Sequence, residues 1–346
     1  MKIVKLDEKS TFFMSPAVKE NNLIFHTPRY KKFIEEAFNC QFELLAVIES
    51  HEVKAILPLV RIQNRLLGNK IISSAYLEYG GFSGDKDYVK DLINYINDNY
   101  KNDYDYLEIR GSNQLVNDHL SSFPNLIKKD LYKRFVLKLD EEQKVWRGIQ
   151  KSKRKAVKKA LKQVQVKEVP LSDLNEFYDL YCDNMKSFGS PPYSKKYFQS
   201  FYKYLVKNNL GKIFGSYHRG KLISALVGFC YKDRVHILIA ISDPDFQEFR
   251  SNDAMHWEFI KWAIKNKYHY FDFGRVREDS GQFEYKRKWG AELKELPSFF
   301  MLWKGKGVPI VDPTSTKYKL FIKLWKLTPL WITKLVGPWL RNGLGI

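Results

Sequence analysis

The chain has 346 residues, 44% of them hydrophobic and 15% aromatic, and its 58 Lys and Arg against 39 Asp and Glu give a formal charge of +19 at pH 7. That length exceeds the size at which one core keeps growing, and the apolar content is enough to fill two. No apolar run reaches the about 18 to 20 residues of a membrane-spanning helix, residues 1–10 scatter their charges instead of forming a basic-then-apolar leader, and Cys40, Cys182 and Cys230 show no CxxC or Cys/His spacing, so the chain reads as cytosolic, without a disulfide framework or zinc site.

In chain order, residues 42–49 and 53–62 are two apolar runs that read as a hairpin, and residues 88–100 have the spacing of an amphipathic helix. The phrase Lys101-Asn102-Asp103-Tyr104-Asp105-Tyr106-Leu107-Glu108-Ile109 then predicts a strand. The same series returns: apolar runs at 213–218 and 222–231, a helix at 254–265, and the phrase Lys265-Asn266-Lys267-Tyr268-His269-Tyr270-Phe271-Asp272-Phe273. A repeated hairpin, helix and strand predicts two similar α/β units in tandem.

The charge is concentrated in two stretches. Residues 143–167 carry ten Lys or Arg and no acid, residues 301–346 carry eight against Asp312 alone, and together they hold +17 of the +19. In the first stretch Ile149, Ala156, Val157, Ala160, Leu161 and Val164 form one helical stripe among Lys151, Lys153, Arg154, Lys155, Lys158, Lys159 and Lys162. The expectation is a basic helical arm whose Lys153, Arg154, Lys155, Lys158 and Lys159 hold a polyanion: tRNA phosphates, a nucleotide-diphosphate sugar or anionic lipid. The alternative is a linker helix docked by its stripe. In the second stretch, residues 317–327 and the segment after Pro329 set Trp325, Trp331 and Trp339 beside Lys319, Lys323, Lys326 and Lys334. Such a tail fits the interface of an anionic membrane, and equally a helix pair packed on its own domain.

Between these stretches, strand Arg234–Ser242, a loop at 243–250, a helix from Ser251 and a strand at 268–273 follow the order in which GNAT acyltransferases splay a pair of parallel strands to admit an acyl donor. Asp243-Pro244-Asp245, Trp262-Ala263, Phe271-Asp272-Phe273-Gly274-Arg275 and Phe283-Glu284-Tyr285-Lys286-Arg287-Lys288-Trp289-Gly290 resemble the C-terminal half of the FemAB/FemX family of that superfamily. Phe25-His26-Thr27-Pro28-Arg29-Tyr30, Ile56-Leu57-Pro58-Leu59, Tyr79-Gly80-Gly81, Leu107-Glu108-Ile109-Arg110 and Asn184-Met185-Lys186-Ser187-Phe188-Gly189-Ser190-Pro191 extend the resemblance over nearly the whole chain, toward the subgroup associated with exosortase and exopolysaccharide clusters.

The resemblance implies an α/β (α+β) fold of two tandem GNAT-like domains, with the basic arm between them and an amphipathic C-terminal tail. The expected boundaries are 1–142, arm 143–167, 168–308 and tail 309–346. It implies transfer of an acyl or aminoacyl group to an amine of a cell-envelope precursor, peptidoglycan or exopolysaccharide. Lys286 matches the lysine to which FemX-type catalysis is attributed, and a fixed cation of this kind can stabilise the oxyanion formed when an amine attacks an ester or thioester. Asp272, at its strand end, is the candidate for placing the acceptor amine or relaying its proton. Arg275, Tyr285 and Tyr193 are candidate substrate contacts, with Glu108, Arg110 and Tyr79 lining the first unit's side of a cleft.

No resident cofactor is expected. The donor arrives as a co-substrate, aminoacyl-tRNA or, less favoured, acyl-CoA: residues 247–254 lack the glycines of a pyrophosphate loop, and Asp253 stands in the first helical turn. Two rivals stay open, CoA-dependent N-acetylation of an amino sugar and a non-catalytic adaptor for anionic lipid or nucleic acid.

Overall fold

The computed structural model describes all residues except 8, 9, 11, 112, 306, 309–315 and 346. The expected start of the tail at 309, and Asp312, lie outside the described residues. The first repeat contains β1 (Lys2–Leu6), β2 (Phe13–Met14), α1 (Pro16–Asn21), α2 (Pro28–Phe38), β3 (Gln41–Glu49), β4 (Glu52–Ile62), β5 (Lys70–Ser73), β6 (Ser83–Gly84), α3 (Val89–Tyr100), β7 (Tyr106–Arg110) and α4 (Gln114–Ser121). After it come β8 (Ile127–Lys138), α5 (Glu142–Gly148), α6 (Lys151–Ala160), β9 (Gln165–Glu168), α7 (Leu174–Phe188) and α8 (Lys195–Tyr204). The second repeat is β10 (Gly211–His218), β11 (Lys221–Tyr231), β12 (Arg234–Ser242), α9 (Ser251–Lys265) and β13 (Tyr270–Val276), followed by α10 (Gly281–Arg287), β14 (Glu292–Leu302), α11 (Thr316–Leu327) and α12 (Leu330–Leu344).

The chain divides into two compact units, each with a GNAT-like α/β order. The first comprises Met1–Tyr132, Glu295–Val311 and Leu340–Ile346, the second Lys133–Lys294 and Asp312–Trp339. In the first unit the strands run β1-β3-β4-β5-β7-β14, and in the second β9-β10-β11-β12-β13-β8. Both have antiparallel hairpins (β3 with β4, β10 with β11) and one parallel pair (β5 with β7, β12 with β13). Leu45, Leu57, Ile71, Leu92, Ile96, Leu107 and Phe299 lie in the first core; Phe135, Leu226, Val235, Met255, Phe259, Phe271 and Trp289 lie in the second.

This division departs from the expected boundaries for a topological reason. The strand that follows the first repeat, β8, pairs by residues 133–138 with β13, while the strand that follows the second, β14, pairs with β7. Each unit is therefore completed by a strand drawn from beyond its own repeat. The arm is not a separate element either. Helical spacing expected through 146–166 breaks at Ile149 and Gln150, and β9 pairs with β10 inside the second unit.

Each parallel pair holds for three residues and then diverges. In the first unit Lys70–Ile72 faces Tyr106–Glu108, beyond which the opening is filled by the unit's own groups. Ser73 Oγ accepts from the Arg110 amide at 2.8 Å, and the Arg110 guanidinium donates to Ser74 O, to Leu77 O, to Gly345 O at 3.0 Å and to Glu108 Oε1 at 3.1 Å. Gly345 also accepts from the Tyr76 amide; its φ of +74° and the 2.7 Å that an added Cβ would leave to Ile62 and Ile72 explain why a glycine ends this segment. Glu108 and Arg110, expected to line a ligand cleft, are thus an ion pair spent on the fold, Arg110 buried and Glu108 half-buried. Tyr79 is 2% exposed with its ring edge-on to Phe25, so it is core rather than cleft lining.

Arg110→Leu should remove the guanidinium donor from the Ser74 and Leu77 carbonyls and leave Glu108 with the Ser298 hydroxyl and Gly345 O with the Tyr76 amide. We expect a loss of about 3 to 5 kcal/mol in the first unit, the cost of breaking a buried pair by removing one member. Urea unfolding followed by far-ultraviolet circular dichroism measures it, and a loss under about 1 kcal/mol, the range of an ordinary surface change, would show that the opening does not depend on this arginine.

Candidate functional site

In the second unit the corresponding opening keeps a different set of groups. Arg234–His236 pairs with Tyr270–Asp272, after which β12 and β13 separate. On the β13 side, Asp272 faces Val136 and Arg275 faces Arg134, so Phe273 and Gly274 together oppose one residue of β8. This bulge needs Gly274 at φ +72°, a conformation that is cheap only without a Cβ. Asp272, with no exposed surface, fixes it: Oδ1 accepts from the Gly274 amide at 3.0 Å, Oδ2 accepts from Arg134 Nη1 at 2.6 Å, and Arg234 Nη1 stands at 3.9 Å. The bulge turns two successive carbonyls toward α10, and Lys286 Nζ donates to both, Gly274 O at 3.1 Å and Arg275 O at 2.8 Å.

The β12 side is also irregular. Its register against β11 slips between Val227 and Gly228, leaving Leu238 as the extra residue just past the point of separation. Asn184 of α7 then clamps the strand's end, donating from Nδ2 to Ser242 O at 2.7 Å and accepting the Ser242 amide at 3.1 Å. A bulge on each strand and a half-buried lysine at the mouth define the candidate site.

Behind Lys286 lies a buried polar cluster that joins three helices. Lys153 of α6, 5% exposed, pairs with Asp253 of α9 at 2.6 Å and sits 3.6 Å above the ring of Tyr285 and 5.4 Å from that of Trp289. The Tyr285 hydroxyl lies 3.2 Å from Nδ1 of His256, a nitrogen also 2.7 Å from Asn252 O, and the imidazole stacks on Phe273. Burial pushes the His256 pKa down to about 3, against its hydrogen bond to Asn252 and with help from the nearby Lys153 and Lys286. Burial first, and Asp253 second, hold the Tyr285 phenol well above its ordinary value. Lys153 is lowered by burial, with Asp253 pulling the other way.

These positions correct several expectations. Lys153 is not an anion-binding cation but an internal one, already neutralised. Arg154 is half-buried, and only Lys155, Lys158 and Lys159 of the proposed set are exposed. Asp253 does not project charge toward a diphosphate, because its carboxylate faces Lys153. The turn before α9 accommodates its side chains: Arg250 itself takes the left-handed conformation, φ 51° and ψ 37°, that a glycine would supply.

Asp272 has both oxygens engaged inside the fold, which leaves it holding the bulge rather than facing a substrate. Tyr285 points its hydroxyl inward. Tyr193 is 2% exposed in a stack between Tyr181 and Tyr197, with its amide on the Tyr181 hydroxyl, and forms no open aromatic wall. Arg275 is half-buried beside Lys286 through its own carbonyl. The reading of the sequence missed His256 and Asn184. Asn184 falls at helical spacing with buried Phe177 and Tyr181, and a lone amide on such a face was its signal. Among the described residues no group of three or more His, Cys, Asp and Glu is placed to hold a metal ion.

The profile of the GNAT acetyltransferase domain family matches residues 144–287, the span from the arm to α10. No curated protein matches the chain. Among solved structures, FemX aligns over 87% of this chain and 97% of its own at 14% identity and a TM-score of 0.68. A tandem GNAT protein from the clavulanic acid biosynthesis pathway aligns over 88% and 99% at 9% identity and a TM-score of 0.61. L-PGS from Bacillus licheniformis aligns over 92% and 95% at 12% identity and a TM-score of 0.55. At these identities the likeness is one of fold, and it covers both units. The match at 144–287 contains both strands of the second opening, the helix carrying Lys286 and most of the cluster behind it; that span is accordingly an acyltransferase domain of the GNAT family, and the chain as a whole has a tandem fold like that of FemX.

Proposed function

We propose that the protein transfers an acyl or aminoacyl group to an amine of a cell-envelope precursor, of peptidoglycan or exopolysaccharide, on the cytosolic side. The observation that carries this reading is the Lys286 ammonium, fixed by two backbone carbonyls where the parallel strands separate. An amine nitrogen attacking an ester or thioester carbonyl forms a C–N bond and places negative charge on the carbonyl oxygen. The tetrahedral species collapses with loss of the alkoxide or thiolate, and the amine's proton leaves with that group or to water. A cation held in advance at the oxyanion lowers the barrier by about 3 kcal/mol, the scale of one oxyanion donor. In this scheme Asp272 positions the bulge, and Lys153 with Tyr285 supports the helix that carries Lys286.

The donor we favour is aminoacyl-tRNA, because Lys155, Lys158 and Lys159 stand exposed on one short helix and α6 belongs to the same unit as Lys286. A second reading, CoA-dependent N-acetylation of an amino sugar, is supported by the turn at Arg250 and by the neutralisation of Asp253, which together leave the start of α9 without a charge opposed to diphosphate. Isothermal titration with acetyl-CoA, charged tRNA and uncharged tRNA separates the two. Micromolar, salt-sensitive binding of charged tRNA is expected, and Lys155→Gln, Lys158→Gln and Lys159→Gln together should reduce the log-log salt slope by roughly one unit for each phosphate no longer neutralised. Micromolar acetyl-CoA with no tRNA binding would transfer the function to the second reading.

Lys286→Ala should fold and reduce turnover by about a hundredfold, with Lys286→Arg a poor replacement because a planar fork cannot take the place of a compact ammonium between two carbonyls. Turnover equal to wild type in the alanine protein would take the lysine out of the reaction.

The cluster behind the site also sets an acid limit. Below pH 6.5 the unfolded His256 binds a proton that the folded one refuses until about pH 3, so stability falls as pH drops through that window. The group contributes a slope of about 1.4 kcal/mol per pH unit. Denaturant unfolding of wild type and His256→Phe across that window reads the difference; parallel slopes in the two proteins would mean that the imidazole is protonated in the fold.

A further inference from the structure

The second unit closes with α11 and the greater part of α12, and each helix has two apolar faces where packing on a body requires one. The inner face of α11 is accounted for: Trp325 is buried with Nε1 donating to Ser190 O at 3.1 Å, Phe321 stacks on it, and Ile322 covers Gly189. The inner face of α12 lays Gly337 on Pro192 and pairs Lys334 with Asp179 at 2.6 Å. The outer faces have no such use. Leu320, Leu324 and Leu327 recur at i, i+4 and i+7 on α11, with Leu327 73% exposed. On α12, Trp331, Leu335 and Trp339 recur at i, i+4 and i+8, with Trp331 67% and Leu335 72% exposed. Exposed apolar rows of this length mark a contact surface.

The charge beside these rows identifies the partner. Lys319, Lys323 and Lys326 each precede one of the exposed leucines, so a row of ammonium groups runs alongside the apolar row, and all three are exposed. Residues 313–346 hold six Lys or Arg and no Asp or Glu. A protein interface core is depleted in lysine, whereas a bilayer interface takes this composition directly: leucine at the acyl boundary, indole at headgroup depth, lysine on lipid phosphate. Neither helix is long and apolar enough to cross a membrane.

We propose that the outer faces of α11 and α12 form an interfacial docking surface for an anionic phospholipid bilayer, on which the protein rests without spanning it. This surface does not depend on the acyl-transfer reading, and its test uses no activity. Full-length protein is sedimented with vesicles of phosphatidylcholine containing phosphatidylglycerol and with vesicles of phosphatidylcholine alone. Wild type should partition onto the anionic vesicles with a blue-shifted tryptophan emission. Leu324→Glu with Leu327→Glu and Leu335→Glu should lower that partition at least tenfold, and Lys319→Gln with Lys323→Gln and Lys326→Gln should remove its preference for anionic lipid. All are surface changes, and circular dichroism verifies the fold. Equal partition of wild type and the leucine variant would overturn the proposal. So would a wild-type dimer in sedimentation equilibrium that the leucine variant dissolves while neither binds vesicles, since a second copy would then cover the face.

Discussion

The second unit depends on a carboxylate with no contact with water. Asp272 lies between Arg134 on one neighbouring strand and Arg234 on the other, and takes the Gly274 amide besides. A lone charge in such a place costs several kcal/mol, so the position is tenable only while these partners stay in place. Because they come from β8, β12 and the bulge, one buried group ties together the strand before the opening, the strand across it and the backbone that holds Lys286. The register of the two strands and the placement of the catalytic candidate are consequences of the same pairing.

The two units show what one added residue does to a duplicated plan. In the first, Glu108 and Arg110 are two apart on a regular strand, and the arginine reaches into the opening and closes it. In the second, Gly274 intervenes between Phe273 and Arg275. Side chains alternate along a strand, so an inserted residue re-aims everything after it. The result is an opening edged by carbonyls, with a lysine held on them, instead of one filled by a guanidinium.

Much of this was visible in the sequence. Hairpins, the helices before each repeated phrase and the strand Arg234–Ser242 were set by period and turn residues, which act locally. The burial of Lys153 was legible in principle, since 153, 156, 157 and 160 share one helical face, yet a lysine among nine other cations reads as solvated. Its neutralisation required Asp253, distant in sequence and given another meaning there. Tyr79 precedes a pair of glycines and Tyr193 follows a pair of prolines, and turn chemistry says nothing about whether the adjoining ring is covered. The exchange of β8 and β14 could not be read, because alternation identifies a strand and not its neighbour.

That exchange bears on how the protein is made. A ribosome delivers the first repeat before β14 and before Gly345, which complete its sheet and its opening. The sheet of the second unit has all its strands once β13 has appeared, since β8 preceded it. The usual order, in which the N-terminal domain folds first, is therefore constrained in this chain: until β14 and Gly345 have been made, β7 has β5 but not its second neighbour, and Arg110 lacks one of its acceptors.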